Sequence, residues 1–179
     1  MAAIVKVYIL SKMKKLITDL KIQSRIKELA QAIDDDHTKS TNTLPPVFIC
    51  VLNGAYMFFS DLTKSVKVPH EVDFIRAKSY TGQDNSDGVK ILKDIELSLK
   101  GKRVYIIEDM IDSGNTMLEI LIRVHDKQPF EVKVVTLLHR RTSTFPVDFH
   151  AFDIDDEWVF GYGLDDNGIR RNYTDIWCK

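Results

Sequence analysis

The stretch Arg103-Val104-Tyr105-Ile106-Ile107-Glu108-Asp109-Met110-Ile111-Asp112-Ser113-Gly114-Asn115-Thr116 decides the fold. Arg103–Ile107 is a short apolar run rich in β-branched residues, the pattern of a strand buried on both faces of a parallel sheet. An acidic, Gly-containing loop breaks it. Met117, Leu118, Ile120, Leu121, Ile122 and Val124 then follow as a helix. That helix is apolar on most sides, which predicts that it is well buried. In an open α/β sheet, ligands bind at the carboxyl ends of such strands.

The loop has the ingredients of an anion site. A helix N-terminus offers unpaired N–H groups and the positive end of a dipole. Gly114 lets the backbone curl towards an anion, and Ser113 and Thr116 add hydroxyl donors. The loop lacks lysine, which excludes a nucleotide-triphosphate P-loop. Three acids, Glu108, Asp109 and Asp112, accompany this site. Glu108 and Asp109 read either as ligands of sugar hydroxyls or Mg²⁺, or as a solvated strand end. Asp112 reads either as a proton acceptor or as a helix cap.

Outward from this unit, Val47–Leu52 is a second continuous apolar run, and Asn53-Gly54 breaks it. Ala55–Val66 reads as a helix and Val72–Ala77 as a strand. Ser79–Val89 is polar and is expected to be mobile. Ile91–Leu99 and Val132–Leu138 read as strands. Three short strands are expected at Phe149–Ile154, Trp158–Tyr162 and Thr174–Cys178. Near the start, Val5–Leu10 reads as an edge strand and Lys12–Lys21 as a solvated amphipathic segment. Ile22, Ile26, Leu29, Ala30 and Ile33 have helical spacing, and Asp34-Asp35-Asp36 is expected to mark the turn after that helix, because acids are unfavourable at a helix C-terminus. Strand–helix alternation implies an α/β class with a mostly parallel sheet. The whole chain, 1–179, reads as one domain, with a core over about 22–140 and a cap from 1–21 and 141–179.

The chain has 179 residues and a formal net charge of −1, which gives no global electrostatic reason to bind nucleic acid or an anionic membrane. Of the two cysteines, Cys50 reads as buried and Cys178 as a surface thiol. His37, His70, His125, His139 and His150 read as exposed polar residues, without a transition-metal constellation. No leader and no bilayer-spanning run is recognisable, so a cytoplasmic protein is expected.

Val104 to Met117 resembles the diphospho-ribose signature of type I phosphoribosyltransferases, and most closely that of their hypoxanthine-guanine branch: two aliphatics, two acids, two aliphatics, then Asp-Ser-Gly-x-Thr. Val51–Leu62 resembles the family's first buried strand and diphosphate loop. Ser79-Tyr80 opens a stretch like its lid. Phe152–Arg171, with Glu157-Trp158-Val159-Phe160-Gly161-Tyr162-Gly163-Leu164-Asp165 at its centre, resembles its purine-binding tail. The likeness runs from about Val47 to Arg171.

The resemblance implies a type I phosphoribosyltransferase fold, a central sheet of four or five strands with a small hood. It implies transfer of 5-phosphoribosyl from 5-phosphoribosyl 1-diphosphate to a purine base with Mg²⁺, in a homodimer or homotetramer. Asp112 would be the general base, and Asp112, Ser113, Gly114, Asn115 and Thr116 would hold the 5-phosphate. Glu108 and Asp109 would contact ribose hydroxyls and Mg²⁺, and Asp165 a second ion. Trp158 would stack on the base, unless it is a core or interface aromatic. Val159 would meet the base edge through its backbone. Asn53 and Gly54, around a cis peptide, and Arg171 would hold the diphosphate.

Two positions depart from the family, which has lysine in place of Asn53 and of Arg140. The latter reads the purine 6-oxo group, so the base preference is the open point: hypoxanthine or guanine, with xanthine admitted by the arginine fork. A ribose-phosphate-sensing regulator of nucleic acid, a uracil phosphoribosyltransferase and an inactive binding protein are the competing readings. The first requires a basic face.

Overall fold

The computed structural model describes residues 13–80 and 88–179. The expected strand Val5–Leu10 and residues 81–87 of the polar stretch lie outside them. In chain order the elements are β1 (Lys14–Ile17), α1 (Asp19–Thr38), β2 (Val47–Leu52), α2 (Tyr56–Ser65), β3 (Glu71–Tyr80), β4 (Gly88–Lys93), β5 (Arg103–Ile111), α3 (Asn115–His125), β6 (Glu131–Arg140), β7 (Phe149–Ile154), β8 (Val159–Phe160) and β9 (Ile176–Cys178).

β2 and β5 lie at the centre of a six-stranded sheet of order β4-β3-β2-β5-β6-β7. All neighbours are parallel except the edge strand β4. The alternation of the two apolar runs explains why both faces are covered. Phe48, Cys50, Tyr105 and Ile107 join the cluster under α1 and α2. Val47, Ile49, Val51, Val104 and Ile106 join the opposite cluster, with α3 residues Met117, Ile120 and Val124. Every one of these strand residues is 5 % exposed or less, so deleting such a side chain should cost about 2–5 kcal/mol.

The hood is a smaller antiparallel sheet of order β1-β9-β8. The sequence expectation placed everything after 140 in the cap. The structure corrects it: β7 pairs in parallel with β6 and completes the main sheet, which has six strands rather than four or five. Likewise, part of the segment expected to be solvated, Lys12–Lys21, is the strand β1, paired with β9 and closed by buried Ile17.

Two further boundaries moved because carboxylates took over backbone donors. α1 runs through Asp34-Asp35-Asp36 instead of ending there. Asp34 accepts the N–H groups of Lys67 and Val68 at 3.0–3.1 Å. Asp36 accepts from the Tyr105 hydroxyl at 2.9 Å and pairs with Arg103 at 3.0 Å. These partners offset the unfavourable helix-end charge. Conversely, the strand expected over Ile91–Leu99 stops at Lys93, because buried Asp73 accepts the N–H groups of Glu96 (2.7 Å) and Leu97 (2.8 Å) in place of a ladder.

α3 also differs from expectation. Only Met117, Ile120 and Val124 are buried, while Leu118 and Ile122, one turn apart, are 53 % and 52 % exposed. The helix lies on one side of the sheet, and among the described residues no second layer covers its outer face. Cys178, expected at the surface, is buried in the central strand of the hood sheet, and Cys50 is buried in the core; burial first, then the charges of Glu108 and Asp109, push the Cys50 thiol up to about 12. Among the described residues no helix is long and apolar enough to cross a membrane.

Candidate active site

The carboxyl ends of β2, β5 and β6 and the hood hairpin after β8 converge on one edge of the sheet. β5 continues past its apolar run to Ile111, so Glu108 and Asp109 belong to the strand rather than to a loop. The turn Asp112–Gly114 follows, and α3 starts at Asn115. Gly114 caps the helix with φ 81°, and a Cβ there would lie 2.4 Å from the Phe145 ring. Only glycine fits this curl. Residues Asp112–Met117, with Glu108, Met110 and Ile111, line a cavity of about 100 Å³ at the helix N-terminus. Asp112 is largely exposed and does not cap α3; its carboxylate lies 3.2 Å from Arg140 Nε.

Glu108 is 8 % exposed. Burial first, then the charge of Asp109 and a hydrogen bond between the two carboxyl groups, hold its pKa well above the usual carboxylate range; only the Asp109 N–H, at 3.1 Å, works the other way. Two carboxyl groups that share a site in this way disfavour each other's charged form.

The Leu52–Asn53 peptide is cis. Gly54 after it has no room for a side chain: a Cβ would stand 1.7 Å from Asp109 Oδ2. A Cβ on Gly163 would stand 2.1 Å from the Gly54 carbonyl oxygen, so the hood loop rests directly on the Asn53-Gly54 turn. Arg171 completes this cluster. It donates to the Gly163 carbonyl at 2.7 Å and to Asp165 Oδ1 at 2.5 Å, while Asp165 Oδ2 accepts the Gly168 N–H at 2.7 Å.

Beyond Asp112 lies Arg140, at the end of β6. Its guanidinium donates to the carbonyls of Asp155 and Glu157 and touches Met110 Sδ at 3.9 Å. It thus binds β5, β6 and the segment leading into β8. Trp158 follows directly and is 58 % exposed, which removes the reading as a core aromatic. Val159 is buried as the first residue of β8. Ser79 and Tyr80 end the β3–β4 ribbon, which continues past the last β2 pair, Leu52–Arg76.

Asp112, Arg140 and the Trp158 segment therefore form one end of the site, and Asp109, Gly54, Asp165 and Arg171 the other. Glu108 and Asp109 do not meet Asp165 in a common ligand set; among the described residues no three His, Cys, Asp or Glu side chains converge to hold a metal ion. Sequence reasoning passed over Asp61, which accepts the Tyr162 hydroxyl at 2.6 Å and fastens the hood to α2. The signal was Gly161-Tyr162-Gly163, where all three residues have positive φ, an arrangement that a plain strand does not need. Of the histidines expected at the surface, only His125 is exposed. His70 packs on Phe48 at 4.6 Å, and His139 and His150 share Asp153 at 3.9 and 3.3 Å.

A buried parallel strand that ends in paired acids and feeds an anion-binding helix N-terminus under a small hood defines a ribose-phosphate transferase fold. The phosphoribosyl transferase domain model matches residues 15–167, and the chain belongs to this family. Within it the chain sides with the hypoxanthine-guanine branch. It is 41 % identical to a hypoxanthine phosphoribosyltransferase of Salmonella typhimurium over 84 % of this chain and 85 % of that protein. It is 34 % identical to a hypoxanthine-guanine-xanthine phosphoribosyltransferase of Tritrichomonas foetus, over 84 % and 82 %. A crystal structure of a hypoxanthine-guanine phosphoribosyltransferase from Bacillus anthracis superposes with TM-score 0.84 at 34 % identity, over 93 % and 98 %.

Proposed function

We propose that the protein transfers the 5-phosphoribosyl group from 5-phosphoribosyl 1-diphosphate to N9 of a 6-oxopurine, hypoxanthine or guanine first, in purine salvage. The observation that carries this reading is the Asp112–Arg140 pair at 3.2 Å, set between the phosphate turn and the exposed Trp158. A purine stacked on Trp158 would meet a cation for its 6-oxo group and a carboxylate for its N7 proton from one pair of side chains. The fork of Arg140 also suits a second oxo group, so xanthine belongs to the proposed range.

In the proposed reaction the bond from C1 of the ribose to the diphosphate oxygen breaks and the N9–C1 bond forms. Asp112 takes the proton that the purine loses. The 5-phosphate sits on the N–H groups of the turn and of the first turn of α3, with Ser113 and Thr116 hydroxyls beside it. Arg171 releases Asp165 and turns to the departing diphosphate, which lies against the Asn53-Gly54 backbone. Glu108 and Asp109 hold the ribose hydroxyls.

The donor set fits Mg²⁺: it is all oxygen, and two adjacent carboxylates, Glu108 and Asp109, lie where a cation would offset their mutual repulsion. Such an ion would take its remaining ligands from substrate and water. Held by Glu108 and Asp109, it would offset the charge that develops on the leaving group. Assembly as a homodimer or homotetramer belongs to the same reading and is supported by the outer face of β3 and α2, where Val72 (46 %), Phe74 (36 %) and Tyr56 (42 %) are exposed.

The test is nucleotide formation from 5-phosphoribosyl 1-diphosphate and Mg²⁺ with hypoxanthine, guanine, xanthine, adenine or uracil. Turnover of a 6-oxopurine that stops on Mg²⁺ removal is expected. Turnover of uracil alone would sink the purine reading, and no turnover by folded protein would favour a regulator.

A further inference from the structure

Tyr162 belongs to the hood turn that backs the diphosphate end. It has φ +50°, between Gly161 at +94° and Gly163 at +100°. Gly163 lies against the Gly54 carbonyl oxygen with no room for a Cβ, and its own carbonyl accepts from Arg171 at 2.7 Å. The backbone of this turn is bonded within the hood. The Tyr162 N–H donates to the Tyr173 carbonyl at 2.8 Å, and the Gly163 N–H to the Arg171 carbonyl at 2.9 Å. The Tyr162 side chain leaves the hood. It is 2 % exposed, and its hydroxyl donates at 2.6 Å to Oδ2 of Asp61, in the second turn of α2.

We propose that Asp61 is a positioning residue for the diphosphate substrate: through the Tyr162 hydroxyl it holds the hood turn on the Asn53-Gly54 turn, with Gly163 and Arg171 in place before the diphosphate arrives. This rests on the reading that Asn53, Gly54 and Arg171 hold the diphosphate. The link runs through α2, which starts at Tyr56, just after the Asn53-Gly54 turn, and carries Asp61. The hood turn therefore meets this unit at two points, Gly163 on Gly54 and Tyr162 on Asp61. The first contact alone would let the hood turn pivot; the second fixes its tilt.

Both partners of the bond are themselves held. Gln23 Nε2, from α1, donates to the same Oδ2 at 2.9 Å, and Lys64 Nζ lies 2.8 Å from Oδ1. Burial first, then the Asp61 acceptor, push the Tyr162 hydroxyl far above its ordinary range, so it stays a donor. A hydroxyl bonded to a carboxylate is a charge-assisted pair, and loss of either partner leaves the other short of a bond in a buried place. A turn fixed before the ligand binds spares the cost of ordering it, so the gain falls on affinity for the diphosphate.

The test is the steady-state kinetics of Tyr162→Phe, which removes the donor and keeps the ring. The KM for 5-phosphoribosyl 1-diphosphate should rise about tenfold, while kcat and the purine KM stay within about twofold. Calorimetric titration with inorganic diphosphate and Mg²⁺ should show the same loss of affinity. Asp61→Leu should match Tyr162→Phe, and the double variant should lose no more than either alone. Asp61→Asn keeps one oxygen for both Tyr162 and Gln23 and should restore most of the KM. Lys64→Ala removes an exposed partner and should stay within about twofold of the parent. If Asp61→Leu does not fold, Tyr162→Phe and Asp61→Asn carry the comparison.

An unchanged KM for the diphosphate substrate in Tyr162→Phe would overturn the proposal, as would an equal rise of the purine KM or additive losses in the double variant. Equal effects of Asn and Leu at position 61, or a matching loss with Lys64→Ala, would assign the role to the ion pair and overturn it as well. Arg171→Ala separates the two readings. If it leaves the KM for 5-phosphoribosyl 1-diphosphate unchanged, the diphosphate end itself fails; if it raises that KM and Tyr162→Phe does not, only the positioning role fails.

Discussion

The two ends of the site are built differently. The phosphate end comes from one continuous stretch, Glu108–Met117, where a strand turns into a helix. The base end is assembled from Asp112, the end of β6 at Arg140 and the entry to β8 at Trp158. Backbone N–H groups at a helix start bind an anion whatever side chains surround them. A planar base needs side chains that converge from several directions. Substitutions at the phosphate end should therefore act on the reaction as a whole, and those at the base end on which base is used.

The largest effect is expected where the two ends meet. Asp112→Asn keeps the shape but cannot take the purine proton, and kcat should fall by about 10²–10⁴-fold with every base. A selective loss for one base would assign Asp112 to recognition. Next comes Gly54→Ala, whose Cβ would drive against the Asp109 carboxylate at 1.7 Å. Displacing Asp109 by about 1 Å should cost about a hundredfold in kcat/KM, equally for all bases. A folded, fully active variant would break the assignment of Asp109.

Arg140→Lys tests the other end. It replaces a fork that reaches two carbonyls and Asp112 by a single ammonium group. The ratio of xanthine to hypoxanthine use should fall by up to about tenfold, with little change in the KM for 5-phosphoribosyl 1-diphosphate. An unchanged ratio would remove Arg140 from base selection.

Away from both ends, Asp73 supports the scaffold. Burial raises the pKa of its carboxyl, but the N–H donors of Leu97, Phe74 and Glu96, with Lys93, outweigh this and hold it below the usual range. A depressed folded pKa contributes stability that is complete above the unfolded value of about 3.9 and is lost as pH falls through the folded value. Asp73→Asn should destabilise the protein at neutral pH by about 1–3 kcal/mol in denaturant unfolding. The gap to the parent should narrow below about pH 3.9. The smallest effect is expected from Gly168→Ala. Nothing lies within 4 Å of the added methyl group, but φ is +84°, so about 1 kcal/mol of stability should be lost.

Much of the parallel sheet was legible because each central strand is a continuous apolar run, and Val47–Leu52 and Arg103–Ile107 need no partner to be recognised. The phosphate turn was legible for the same reason: its parts are consecutive. Where the reading failed, a residue distant in sequence had changed the local outcome. Asp73 ended the strand expected to reach Leu99, and Lys67 and Arg103 let α1 run through three acids. β7 joined the main sheet because β6 offered it a parallel edge.

The sequence by itself determined the α/β class, the anion-binding turn and the acids around it, because hydrophobic period, glycine and helix-start chemistry are local properties. Only the tertiary structure decided that Arg140 meets Asp112, that Asp109 fills the space beside Gly54, and that Asp61 accepts from Tyr162. These contacts join segments tens of residues or more apart, and no local pattern encodes which distant groups the packing of two sheets will bring within hydrogen-bond reach.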